Sequence, residues 1–184
     1  MNYFLLIGLL LFTGFIAGNM MYHKSEPGER SEKYPINKTV FIIGKITMGI
    51  NWIIIFLKAA GIQPLPHYQS AGLTLLATIL VYAGFIFVAL AFIQLGKDVR
   101  FSKIGETRSL RTSGVYSISR NPMYLGFFLV CLASMLTVPH IINILCGLTG
   151  IYVHHLMALS EETSLHNQHG NMYEEYKRSV RRYV

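Results

Sequence analysis

Long apolar runs, each bounded by charge or proline, restrict this chain more than any other feature. Residues 2–22, 36–60, 70–95, 122–138 and 141 to about 159 are apolar almost throughout, with Lys45 interrupting the second run. The hydrocarbon core of a bilayer takes roughly 20 residues of helix. Inside it each backbone N–H and C=O must be bonded within the protein, which favours helices over open strands. Hydrophobic residues make up 52% of the 184 and charged residues only 14%, against about 25% charged in soluble domains. The expectation is an all-α polytopic membrane protein, a single domain over 1–184. It has five transmembrane helices, three of them in residues 1–95.

The fourth and fifth runs are joined only by Pro139 and His140. Proline cannot continue a helix without losing a backbone hydrogen bond, so a tight helical hairpin is expected there. The first run has no basic residue before it and continues for about 20 residues, which reads as a retained helix and not a signal peptide. Cys131 and Cys146 lie within apolar runs and read as small buried hydrophobes.

The formal charge of +7 follows from topology and not from nucleic-acid binding. Lys24, Arg30, Lys33 and Lys38 flank one connection; Lys97, Arg100, Lys103, Arg108, Arg111 and Arg120 lie in 96–121; Lys177, Arg178, Arg181 and Arg182 lie in the tail. With five spans, these fourteen of the sixteen basic residues share one face. By the positive-inside rule that face is cytoplasmic and the N-terminus is outside. The membrane is the cell membrane of a bacterium or the endoplasmic reticulum of a eukaryote. Lys58 is close enough to a helix end to snorkel. Lys45 either snorkels or faces a polar cavity.

The tail Asn171–Val184 reads as a C-terminal amphipathic helix at the interface. Gly170 ends the preceding helix, and Asn171 with Glu174 forms an Asn version of a capping box. Tyr173, Tyr176, Val180 and Tyr183 make its apolar stripe.

Polar residues concentrate in two pieces on the basic side. In the first, Asn121-Pro122 pairs a favoured N-cap with a favoured first helical residue. A helix beginning there turns its first N–H groups and positive dipole end outward, beside Arg120. The stretch reads either as an anion site or as a capped helix with a snorkelling arginine. In the second piece, Glu161 and Glu162 follow an apolar helix, where a carboxylate is costly unless paired. They either bind a cation or ligand hydroxyls, or pair with Arg120. His154 and His155 point about 100° apart on a helix, and with His166 and His169 they give no HExxH-like spacing, so no metal is expected. There is no Gly-rich nucleotide fingerprint.

In order and spacing, "QLGKDVR", "SLRTSGVYSISRNPMYLG", "SEETSL" and "HGNMYEEYKRSV" resemble the integral-membrane S-adenosylmethionine-dependent methyltransferases. That group includes isoprenylcysteine carboxyl methyltransferase and the phospholipid N-methyltransferases. The resemblance covers about residues 90–180 and makes 96–184 the cofactor-binding catalytic half. It implies cofactor contacts from Arg108, Ser109, Leu110, Arg111, Tyr116, Asn121, Pro122, Met123, Tyr124 and Glu161. It also implies a lipid-like acceptor that enters from the bilayer.

Two positions depart from the pattern. Arg108 stands where isoprenylcysteine enzymes commonly have His. Met157 stands where they have an arginine that binds the acceptor carboxylate, a role left to Arg120 or Arg100. For an amine acceptor, Glu162 is the expected proton acceptor. The activity expected first is isoprenylcysteine carboxyl methyltransferase-like, with phospholipid N-methylation and a smaller apolar acceptor as alternatives. A non-enzymatic membrane scaffold or transporter subunit is the rival class.

Overall fold

The computed structural model describes residues 2–24, 36–63, 65–66, 70–96 and 109–184. Among them the regular structure is helical: α1 (Tyr3–Lys24), α2 (Lys38–Ala59), α3 (Ala71–Leu95), a short 3-10 turn (Gly114–Ser117), α4 (Pro122–Thr137), α5 (Ile141–His169) and α6 (Asn171–Ser179). Three of these helices, α2, α3 and α5, are long and apolar enough to cross a membrane. The apolar part of α1 and the whole of α4 are shorter. At 1.5 Å per residue, the 16 residues of α4 extend about 24 Å, less than the roughly 30 Å of a hydrocarbon core.

Helix ends follow local chemistry. The Asn37 side chain accepts from the Thr39 N–H, and Ser70 caps α3 by accepting from the Leu73 N–H. His140 caps α5, its Nδ1 accepting from the Ile142 N–H. Residues 138–140 connect α4 to α5, and the two helices pack on each other. Gly170, at φ +52°, ends α5, its N–H bonding the His166 carbonyl.

The core is built where small residues let helices approach. A Cβ on Gly126 would lie 2.6 Å from the Gly84 carbonyl oxygen, and one on Gly84 would lie 2.7 Å from the Gly126 carbonyl oxygen. That mutual contact brings α3 onto α4, as small residues do between membrane helices. Phe12, Trp52 and Phe127 meet edge to face at centroid distances of 5.2–6.1 Å, locking α1, α2 and α4 together. A buried polar knot ties α2, α4 and α5. Asn51 Nδ2 donates to Asn143 Oδ1 (2.8 Å), Asn143 Nδ2 to the Ser134 carbonyl (2.9 Å), and Ser134 Oγ to the Asn51 carbonyl (2.7 Å). The knot sits at the C-terminal end of α4, opposite the end that begins at Pro122.

Two expectations for the tail are corrected. The Asn171 capping box does not form: Gly170 holds the cap position, and Glu174 pairs with His166 and Lys177. The turn at Gly170 already starts the helix, which leaves the Glu174 side chain to the neighbouring charges. The aromatic stripe is also not left open to an interface. The helix stops at Ser179, and Tyr173 and Tyr176 are buried against Ala91, Val115 and Tyr116. Tyr183 packs edge to face on Phe128. The rings gain more by filling the gap beside α3 and the 3-10 turn than by staying uncovered.

Replacing Gly126 with leucine would force α3 and α4 apart. The expected cost is about 1–3 kcal/mol, read as a lower melting temperature in detergent. Gly14→Leu, where a Cβ meets nothing within 4 Å, should leave it unchanged.

Candidate functional site

The candidate site lies where the start of α4, the second half of α5 and the C-terminal tail converge. Its floor is the 3-10 turn. Gly114 sits at φ +60°, a conformation that favours glycine, and a Cβ there would run into Gln94. Gln94 Oε1 accepts from the Val115 N–H at 3.1 Å and pins the turn to the end of α3. Tyr116 is buried, and its carbonyl accepts from the Tyr176 hydroxyl at 2.7 Å.

Glu161 and Glu162 are adjacent on α5, so their side chains diverge by about 100°. Glu162 turns to the tail. Arg182 grips it with two bonds, Nε to Oε1 (2.9 Å) and Nη2 to Oε2 (3.1 Å). Arg120 Nη2 adds a third at 3.1 Å and Asn121 Nδ2 a fourth at 2.6 Å. The side chains of Arg120 and Glu162 are only 7% and 9% exposed. Arg120 Nη1 also donates to the Lys177 and Val180 carbonyls. The main chain of the same segment joins in: Arg120 N–H bonds the Arg181 carbonyl (3.0 Å) and Asn121 N–H the Arg182 carbonyl (3.1 Å). Ser119 Oγ donates to that same Arg182 carbonyl at 3.0 Å.

Burial alone would raise the Glu162 pKa. The Arg182 hydrogen bond, the charges of Arg120 and Arg182 and the Asn121 bond outweigh it, holding the carboxyl below its ordinary 4.5. Burial raises Tyr176 and Tyr183 to about 12, so these rings remain neutral phenols.

Glu161 turns the other way, accepting from the Tyr124 hydroxyl at 3.0 Å. Tyr124 packs with Phe128, Met157 and Ala158, flanked by Phe41 of α2. His155 and the Tyr183 hydroxyl meet at 2.8 Å behind this cluster. Asn121 holds the N-cap position of α4, and Pro122 the first helical one, but the Asn121 side chain makes no cap bond because it serves Glu162. Asn121 therefore gives the first turn of α4 no side-chain cap.

The structure thus brings together Arg120, Asn121 and Glu162 in one cluster and Tyr124 and Glu161 in a second. Leu110 and Met123 pack on the Tyr116–Tyr173 cluster, and Ser109 and Arg111 are exposed. Arg100 and Arg108 lie outside the described residues. Arg182 was legible only as one more basic residue of the tail, since nothing local reveals that it reaches Glu162, twenty residues earlier. Ser119 and Gln94 carried no signal either, because each bonds to backbone brought near by the fold.

Apolar helices of spanning length around a polar cluster, closed by the chain's own tail, define a helical membrane protein with a site at one end of its bundle. A family profile described as Phospholipid methyltransferase matches residues 73–172, which contain α4 and the site residues from Gln94 to Glu162, while the tail residues Tyr173, Tyr176, Arg182 and Tyr183 lie beyond it. The chain belongs to that phospholipid methyltransferase family, and by family it is a membrane methyltransferase. No curated protein and no solved structure shows significant similarity to it.

Removing the Glu162 carboxylate leaves Arg120 buried without its counter-ion. Glu162→Ala should weaken the tail's attachment by about 3 kcal/mol or more, read as rapid trypsin cleavage at Arg181 and Arg182. Glu175→Ala, at an exposed position, should leave cleavage slow. Because the folded carboxyl is held below 4.5, this attachment is complete above that pH and is lost as pH falls through the folded value. Cleavage by an acid-active protease should accelerate in the wild type only as pH falls below 4.5. It should start fast and change little in Glu162→Ala.

Proposed function

We propose that this protein transfers a methyl group from S-adenosylmethionine to an amine-bearing phospholipid held in the bilayer. The observation that carries this reading is the Tyr124–Glu161 hydrogen bond beside an α4 start that the Asn121 side chain does not cap, both inside the family-matched segment. Bound there, the cofactor supplies a methyl group on a sulfonium centre. Glu161, its oxygen oriented by Tyr124, suits the cofactor's hydroxyls or ammonium group. The first turn of α4 and Arg111 suit its carboxylate. The ring faces of Tyr116 and Tyr124 favour a cation. Ser109, Leu110, Pro122 and Met123 complete the set, with Arg108 in the adjoining connection. A displacement of this kind depends mainly on positioning, so the site needs rigid walls more than a strong base.

Glu162 and Arg120 are reassigned in this reading. A carboxylate with two guanidinium partners and an amide donor is a poor proton acceptor, and Arg120 is committed to it and to the tail. Both anchor the wall formed by the tail. Asn121 joins them there and orients no ligand directly. An amine acceptor is favoured over a prenylcysteine carboxylate because the matched family is described as Phospholipid methyltransferase; Met157, buried beside Tyr124, supplies no arginine to fork a carboxylate. The topology proposed is five spans with the C-terminus cytoplasmic. It rests on the charge asymmetry, with thinning of the bilayer around the short α4.

S-adenosylhomocysteine should raise the melting temperature of the detergent-purified protein. A flat response at saturating ligand would favour a scaffold. By calorimetry, Glu161→Ala should abolish binding of that ligand without unfolding the protein. Tyr124→Phe should weaken it about tenfold, the worth of one hydrogen bond to a charged group. In membranes given radiolabelled cofactor, label should extract with phosphatidylethanolamine derivatives; base-labile label would instead mark a carboxyl ester.

A further inference from the structure

Beside the Tyr124–Glu161 pair the bundle contains polar groups that the cofactor reading does not use. His154, on α5, is 1% exposed. Its Nδ1 lies 2.8 Å from the Gly150 carbonyl. A carbonyl only accepts, so Nδ1 carries the proton and Nε2 presents a lone pair. That Nε2 is buried, and among the described residues it has no hydrogen-bond partner. An orphaned buried acceptor is costly, and natural proteins keep few of them. The ring stands beside Tyr124, at a centroid distance of 6.4 Å.

Lys45, on α2, is the second group. Its ammonium lies over the Phe41 ring, 5.4 Å from the centroid, and Phe41 packs on the Tyr124–Met157 cluster. Lys45 is within electrostatic range of both Glu161 and His154. Among the described residues no carboxylate is within ion-pair distance of it. Its neighbours Ile42, Ile43 and Ile46 are exposed apolar residues of a candidate span, so it stands where the polar cluster meets the lipid-facing surface. A cation at that border without an ion-pair partner is costly in a membrane, and such residues mark ligand sites. Lys45 also lies outside the family-matched residues 73–172.

We propose that Lys45 and His154 form the acceptor headgroup site, in which Lys45 pairs with a lipid phosphate and His154 Nε2 accepts a hydrogen bond from the headgroup amine N–H. The proposal rests on the methyltransferase reading for its purpose and on these two side chains for its geometry. A headgroup that carries both a phosphate and an N–H donor offers each of these groups a partner. The hydrogen bond fixes the amine beside the Tyr124–Glu161 wall. The lipid tails leave along the exposed isoleucines of α2.

The test measures binding to the full-length protein by native mass spectrometry, with S-adenosylhomocysteine present. The probes are dioctanoyl forms of phosphatidylethanolamine, phosphatidylcholine (no N–H) and diacylglycerol (no phosphate), with soluble phosphoethanolamine as a fourth. Wild type should prefer phosphatidylethanolamine over the other two lipids by tenfold or more, and should bind phosphoethanolamine weakly. Lys45→Met should lower affinity for both phospholipids at least tenfold and leave diacylglycerol unchanged, while Lys45→Arg should retain binding. His154→Phe should erase only the preference for phosphatidylethanolamine over phosphatidylcholine. S-adenosylhomocysteine affinity should be unchanged in all three variants. A wild type that shows no headgroup preference overturns the site, as do variants that lose all lipids equally or none. Stronger binding of phosphoethanolamine than of the lipid would replace the lipid headgroup with a soluble ligand. Absence of methyl transfer while this lipid pattern holds would reject the transfer reading and leave the headgroup site standing.

Discussion

Four hydrogen bonds converge on the Glu162 carboxylate, and the site exists in its present form because of them. Two come from Arg182 at the end of the chain, one from Arg120 and one from Asn121 just before α4. A buried carboxylate is tolerated only when its charge is matched and its oxygens are bonded. Meeting that condition forces three separate segments together. The tail returns across α5, its tyrosines fill the space beside α3, and the start of α4 is held against the second half of α5. With Asn121 engaged there, its side chain does not cap α4, and Glu161 is directed to the opposite side.

That divergence divides a pair of adjacent glutamates into different tasks. Glu162 is a structural counter-ion. Glu161 reaches Tyr124 and the polar groups that lie toward α2. Two identical side chains one residue apart thus acquire opposite surroundings because a helix turns them by about 100°. The same division separates the cations: Arg120 and Arg182 serve the tail, and Lys45 lies over the Phe41 ring on α2.

The apolar part of the bundle provides the rigidity that such a site requires. The Gly84–Gly126 contact and the Asn51–Ser134–Asn143 knot both involve α4, one along its length and one at its far end. An α4 held in this way carries the Tyr124 hydroxyl to 3.0 Å from Glu161. The proposed methyl transfer is governed by alignment, so it would depend on these remote contacts even though they touch no ligand.

The sequence by itself determined the all-helical class, the apolar segments, the start of α4 at Pro122 and the end of α5 at Gly170. Those follow from composition and from residues whose backbone preferences act within a few positions. It also marked Arg120, Asn121, Tyr124 and the Glu161–Glu162 pair as a chemical cluster, because motif spacing along the chain is legible without a fold. Only the tertiary structure decided which carboxylate pairs with which cation, that the aromatic stripe of the tail is buried on the protein, and that the Asn171 capping box is not made. The first two depend on partners 20 to more than 60 positions apart, such as Glu162–Arg182 and Ser119–Arg182. The physical reason is that an ion pair or a buried ring is defined by what surrounds it in space, and local propensity carries no record of that.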